Sequence, residues 1–450
     1  MKINILLPLV SILILSCSNP VRDKKNANRF FEDKNYENAL KEINKVISVE
    51  PDSICHYAFR VMIYDAMGKY KEEILDLNKI INLNKKTNKK SKSLIAYQQR
   101  SIAQSQIGLY KDALLDIDYF ISNRDTVGSL AEAYTNKASI LYGLGDYENS
   151  KKYYELSIKK ITKKEKAIES QALVGLANLT KSEKEAIILL DKAISIDNKN
   201  FIAYGARAER YMNSGKIKEA YSDSNKAISI NPNDPTINFN MGQLFINHIV
   251  NADSAMFYFE KAIKLSPQSS NNDIAYMNLA VLKHQSGKLE NALSDFHKSE
   301  KINPKNDLLF YNLAQLLCDM GKQKEAFDEI SKAIKLNSKD AEYFNLKGCI
   351  LIDLSLFDNA SKEFLTALKL KPNYGEAFYN LGYLYGEQDN YNQSIIYYNE
   401  AVKLKFDLKA TLVNLALQKI KINESPCDDL KAAYNIGRKD IMPTINKYCY

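Results

Sequence analysis

A chain of 450 residues with 45% hydrophobic and 26% charged side chains can bury a sizeable interior, which excludes a disordered chain. The net charge of +8 is carried by lysines scattered over outward positions, with no arginine–aromatic clusters, which argues against a nucleic-acid partner.

The chain begins MKINILLPLVSILILSC, with one lysine and an apolar run from Ile3 to Leu15 that is too short to span a bilayer comfortably and reads as a secretory signal. This segment resembles bacterial lipoprotein signals. Ile14, Leu15, Ser16 and Cys17 match the lipobox, with Leu15 a less usual occupant of its position. The resemblance implies that residues 1–16 are removed, that Cys17 is lipidated and that the chain is held at the cell envelope by this anchor. Ser18 in place of Asp favours the outer membrane, facing the periplasm. An uncleaved anchor and a plain signal peptide stay open as alternatives.

From Ala27 onward the chain repeats itself. Overlaying Phe344 on Phe378, Gly348 on Gly382 and Leu351 on Tyr385 gives a shift of 34 residues. Within the unit Phe344, Leu351, Phe357, Ala360, Phe364 and Ala367 fall at helical spacings on either side of a break, which predicts two amphipathic helices facing each other. Such a hairpin cannot bury its apolar face alone, so copies must stack. Glycine marks the break at Gly68, Gly108, Gly145, Gly215, Gly287 and Gly321, and a small residue recurs in the second helix from Ala39 to Ala360. Half of the ten prolines, Pro51, Pro232, Pro267, Pro304 and Pro372, close a unit. Three departures break the register. A polar insertion, LNKKTNKKSKS, carries Lys85, Lys86, Lys89, Lys90 and Lys92, a solvated loop or a contact to lipid phosphates. The fifth copy loses its turn glycine and, with the lysines from Lys159 to Lys166, reads as a bend between two halves; one extra residue sits near His248.

This pattern is similar to the tetratricopeptide repeat family, whose period is 34 with small residues at fixed places and a closing proline. The resemblance implies an all-α fold, a right-handed α-solenoid of about eleven stacked hairpins with a C-terminal capping hairpin. The expected division is residues 17–199 for an N-terminal array of about five repeats, 200–424 for about six more with a capping helix, and 425–450 for the cap. Cys427 and Cys449 bracket that cap around Gly437, and an oxidising compartment lets them pair if their Cα atoms come within about 7 Å. With Cys17 acylated, Cys55, Cys318 and Cys349 remain. A second bridge between Cys318 and Cys349 is one alternative and free buried thiols the other.

No metal-ligand or nucleophile motif stands out. His56, His248, His284 and His297 are dispersed, and HExxH, GxSxG and the phosphate loop are absent, so no cofactor, metal, small-molecule substrate or catalytic activity is expected. Family resemblance puts the first helices on the concave face. There Asn136, Asn240, Asn278, Asn312, Asn380 and Asn414 hold one position of their repeats. An amide side chain complements a peptide backbone, so this row reads as a ladder for an extended chain; the alternative is local hydrogen bonding. Tyr311, Tyr379, Tyr383, His284 and Gln315 are neighbouring candidates. The expected function is a non-catalytic scaffold for a protein or extended peptide. A structural accessory docking by its convex face or ends is the alternative.

Overall fold

The computed structural model describes residues 24–86, 90–124, 128–162, 164–267, 269 and 271–450, all helical or turn, with no strand among them. The expected signal 1–16 and Cys17 lie outside the described residues, as do Lys89 and the side chains of Lys85, Lys86, Lys90 and Lys92. The insertion is not wholly a loop. Second-hairpin helix α4 (Tyr70–Lys86) and the next first helix α5 (Lys90–Gln106) run into it from both sides.

First and second helices alternate from α1 (Lys24–Glu32), which is short, through eleven successive pairs to α22 (Tyr391–Lys403). The two kinds bury different amounts of themselves. A second helix such as α10 (Glu183–Ile196) buries one stripe, Ala186, Leu190 and Ala193, the i, i+4, i+7 signature of one covered face. A first helix such as α7 (Leu130–Leu144) buries Ala131, Ala133, Thr135, Ala138, Ile140 and Leu141, because it is wedged between neighbours. The recurring second-helix alanines, from Ala39 to Ala360, are fully buried. Their helices approach so closely that only a methyl group fits.

Local chemistry sets the helix ends. The Oδ1 atoms of Asp234 and Asn306 accept from the backbone N–H groups of Ile237 and Leu309, three residues into their first helices. The six turn glycines all have positive φ, from 65° to 82°, where a Cβ is costly. In the tenth and eleventh copies Ser355 and Asp389 stand in that turn with φ of 60° and 58°. Gly348 and Gly382 serve close approach instead: an added Cβ would sit 2.5 Å from the Phe364 ring and 2.8 Å from the Tyr398 ring.

The chain divides into two compact units after Val250. The extra residue near His248 is absorbed in a π-helical turn, Phe245–Ile249, that ends on Val250 in the left-handed region. In the first unit the fifth hairpin, α9 (Lys166–Leu179) and α10, is packed like its neighbours, with Leu173, Val174, Ala177 and Leu190 in one buried cluster.

The second unit starts with α14 (Ala252–Leu265). It continues through hairpins α15 (Asn272–Gln285) with α16 (Leu289–Ile302), α17 (Asp307–Asp319) with α18 (Gln323–Leu336), α19 (Ala341–Asp353) with α20 (Phe357–Leu370), and α21 (Gly375–Glu387) with α22. A last first helix, α23 (Leu408–Lys421), is covered by α24 (Cys427–Asn435), a 3₁₀ turn and α25 (Met442–Cys449). Leu412, Ala416, Leu430, Ala433, Ile441 and Ile445 form the cap's own core. Gly437 makes the bend with φ of 110°, and a disulfide joins Cys427 to Cys449, whose Cα atoms are 5.5 Å apart.

Candidate functional site

Within the second unit the successive first helices touch one another directly, whereas successive second helices barely meet. The first helices therefore form one continuous row. Asn278, Asn312, Asn380 and Asn414, one each on α15, α17, α21 and α23, are all half-buried there. Asn240 belongs to the first unit and is also half-buried, while Asn136, on α7, is fully buried with neither amide atom bonded among the described residues.

The asparagines do not behave alike. The Asn380 amide donates to Asn345 Oδ1 at 3.0 Å and to the Cys349 Sγ at 3.4 Å, both on the preceding first helix. Asn345 passes the chain on, donating to Glu376 Oε1 at 3.1 Å, and Glu376 Oε2 accepts from the Tyr374 hydroxyl at 3.2 Å. Asn414 donates to the Tyr379 hydroxyl at 2.9 Å. For Asn380 and Asn414 the geometry is therefore hydrogen bonding between neighbouring first helices. Asn278 and Asn312 make no side-chain hydrogen bond among the described residues and keep their donors and acceptors for something else.

The aromatic candidates are held by the same network. Tyr311 stacks on Tyr343 with ring centroids 5.1 Å apart, and its hydroxyl accepts from Gln315 Nε2 at 3.1 Å. Burial, followed by the fields of Glu342, Glu376 and Asp340, pushes the Tyr311 phenol up to about 12, so it stays a neutral donor. His284 Nε2 meets Asp319 Oδ2 at 2.7 Å. Cys318 and Cys349 are free thiols. Burial first, then Asp353 and Asp319, raises Cys318 to about 11, and burial with Glu376 raises Cys349 to about 12. Neither is poised as a nucleophile.

Tyr379, Tyr383 and Asn414 converge on one open cavity of about 380 Å³ between α21, α22 and α23. Tyr398, fully buried, forms its floor and meets Tyr379 edge to face at 5.5 Å. Glu387, Asp389 and Lys421 are its charged lining residues. This arrangement offers rings, amides and carboxylates to a ligand. Among the described residues no group of His, Cys, Asp and Glu could hold a metal, and no helix is long and apolar enough to cross a membrane.

Two features escaped sequence reasoning. Asn345 takes the register of Tyr311 and Tyr379, so the row position alone hid it. In the first unit, arginines of the first helices strap two second helices together. Arg60 binds Asp76 through two bonds of 2.7 and 2.6 Å and Asn44 at 2.7 Å. Arg100 repeats this with Asp116 and Asn78, and Arg207 with Asp223 and Asp191. Their readable signal was an aspartate 16 residues after each arginine.

The profile of the tetratricopeptide repeat matches residues 131–159, 202–234, 236–269, 274–306, 341–374 and 375–408. Those stretches are tetratricopeptide repeats, and an array of them is a protein-interaction scaffold. No curated protein matches the chain. Among solved structures it is similar to the Cut9–Hcn1 hetero-tetramer of the APC/C, at 15% identity and a TM-score of 0.45, over 97% of each chain. It is also similar to YrrB, a repeat protein with an unusual peptide-binding site, at 24% identity and 0.36, over 42% of this chain and 95% of that one. A tetratricopeptide repeat protein from Parabacteroides merdae is 21% identical with a TM-score of 0.38, over 56% and 98%. These are similarities only.

Proposed function

We propose that this chain is a non-catalytic scaffold that holds a protein or extended peptide against the first helices of its second unit, tethered to the envelope through Cys17. The observation that carries the reading is the half-buried row on the first helices in which Asn278 and Asn312 make no side-chain hydrogen bond among the described residues, with the Tyr379–Tyr383 cavity two and three repeats further along. A peptide backbone in extended form presents one donor and one acceptor per residue, which such amides satisfy. Function on a repeat scaffold resides in surface residues rather than in the fold, so the partner is defined by this face.

The test is photocrosslinking in native membranes, comparing the wild type with the Asn278→Ala, Asn312→Ala, Asn380→Ala triple variant. Loss of the dominant crosslinked species with an unchanged melting curve supports the groove; unchanged capture overturns it. For the tether, mass spectrometry of the mature N-terminus should find acylated Cys17. An unmodified Cys17, or one in a disulfide with Cys55, overturns the anchor.

A second reading, docking by the outer face, has its own observation. The sixth residue of several second helices in the first unit is apolar and exposed: Leu75 at 67%, Leu115 at 71% and Ile188 at 57%. Serine at these three positions abolishes capture under that reading and leaves groove capture intact.

A further inference from the structure

We infer that the cavity between α21, α22 and α23 receives a cationic side chain, lysine or arginine, from the bound segment. This rests on the groove reading above and names the chemistry of its occupant.

Size and walls come first. About 380 Å³ is too small for a helix and ample for one long side chain with its terminal group. Tyr379, Tyr383 and Tyr391 supply rings along which an alkyl stem can lie and over whose faces a cation is attracted, with buried Tyr398 beneath them. Tyr383 is 43% exposed, so its ring is available to a ligand.

An unsatisfied acceptor is present as well. Gln418 lines this cavity, and its Oε1 is buried with no hydrogen-bond partner among the described residues. Its side chain lies across Gly386, where an added Cβ would come within 3.1 Å of Gln418 Nε2. A buried acceptor without a donor is costly, and an ammonium or guanidinium N–H from a ligand would satisfy it.

Charge selects the ligand. Glu387 and Asp389 are exposed at the mouth, and the Tyr391 hydroxyl fixes Asp389 by donating to its Oδ1 at 2.5 Å. Asp389 occupies the left-handed turn position that glycine fills in six other repeats. The field extends beyond the cavity: Asp319, Asp353 and Glu387 recur at 34-residue intervals. Helices α17, α19 and α21 together carry six carboxylates, Asp307, Asp319, Glu342, Asp353, Glu376 and Glu387, against the single base Lys347. Lys347 is already tied to Glu363 at 2.9 Å. In a chain of net charge +8 these three helices are acidic against the trend. Helix α23, the cavity's third wall, carries Lys409, Lys419 and Lys421 and no acid, Lys419 being tied to Asp429. Lys421 is the opposing charge among the lining residues, exposed and with no ion pair among the described residues. Two carboxylates against one ammonium leave the cavity's charged lining net negative, so an anionic ligand is disfavoured.

Fluorescence anisotropy with short labelled Gly/Ser peptides carrying spaced lysines, glutamates or glutamines tests this on the full mature chain. The lysine peptide should bind roughly tenfold tighter than the glutamine peptide, with the glutamate peptide weakest. The Glu387→Gln, Asp389→Asn double variant should remove that preference without weakening the glutamine peptide, and Lys421→Ala should tighten the lysine peptide severalfold. A glutamate peptide that binds best and loses affinity in Lys421→Ala overturns the inference in favour of an anion. No saturation by the lysine peptide up to millimolar concentration, or a preference indifferent to the double variant, also overturns it. If the lysine and glutamine peptides bind alike and Asn278→Ala with Asn312→Ala weakens both, the groove reading stands and this inference alone falls.

Discussion

The first helices of the two units carry opposite charge and spend it differently. In the first unit Arg60, Arg100 and Arg207 each face an aspartate of their own hairpin at 2.6–2.8 Å and an Asn or Asp of the preceding one. Their charge is consumed inside the molecule, where it fixes the spacing of neighbouring second helices. In the second unit the carboxylates Glu342, Asp353 and Glu387 are exposed, beside a cavity and a row of amides. The braces stand eight residues before the turn and Asp353 and Glu387 two before it; at the arginines' own position the second unit has only Lys347, tied to Glu363 sixteen residues on.

Breaking a brace should have the largest effect. Arg207→Ala leaves Asp223 and Asp191 without their cation, and Asp223 is largely buried. A loss of about 2–3 kcal/mol in denaturant unfolding is expected, localised to the first unit by hydrogen exchange. Lys347→Ala in the second unit, which loses one ammonium contact to Glu363 where Arg207 loses two bonds to Asp223 and one to Asp191, should cost about 1 kcal/mol. Equal losses would erase the distinction between the two regions.

A smaller effect concerns an acid of the first unit that has no brace. Burial, and then the like charge of Glu165, raises Glu132 from 4.5 to about 7. The folded chain therefore holds that proton more tightly than the unfolded one. Stability falls as pH climbs from about 4.5 through about 7 and stays lowered above it. Glu132→Gln should raise stability by about 2 kcal/mol at pH 8 and change it little near pH 4, read from melting curves across that range. A gain independent of pH would show that the cause is not titration.

The smallest sharpens the picture of the second unit. Ser355 sits at φ 60° where six other copies have glycine. Ser355→Gly should stabilise that unit by about 0.5–1 kcal/mol, while leaving peptide capture by the first helices untouched. A loss of capture would mean that the turn positions the acidic face and does more than join two helices.

Much of the architecture was legible in the residues because it rests on local rules. The 34-residue shift, the turn glycines and the recurring alanines each follow from backbone conformation or from the closeness of two helices in one hairpin. The row of Asn278, Asn312, Asn380 and Asn414 was legible as a row, but not the fate of each amide. Asn380 bonds to Asn345 and Cys349, 35 and 31 residues away, and those contacts depend on how one hairpin is rotated against the next. The lysine-rich insertion read as a loop because its composition is polar, yet helices enter it from both sides, since a helix end can remain solvated.

By itself the sequence determined the repeating unit, its two helices and the residues that face the interior, because hydrogen bonding along a helix and the period of apolar residues are set within a few positions of the chain. Only the tertiary structure decided which charges are braced, which amides are left unbonded and where Tyr379, Tyr383, Asn414 and Gln418 enclose a space. Those outcomes turn on side chains from different helices meeting at about 3 Å, and no local spacing rule reaches across a stacking interface whose angle is fixed by packing.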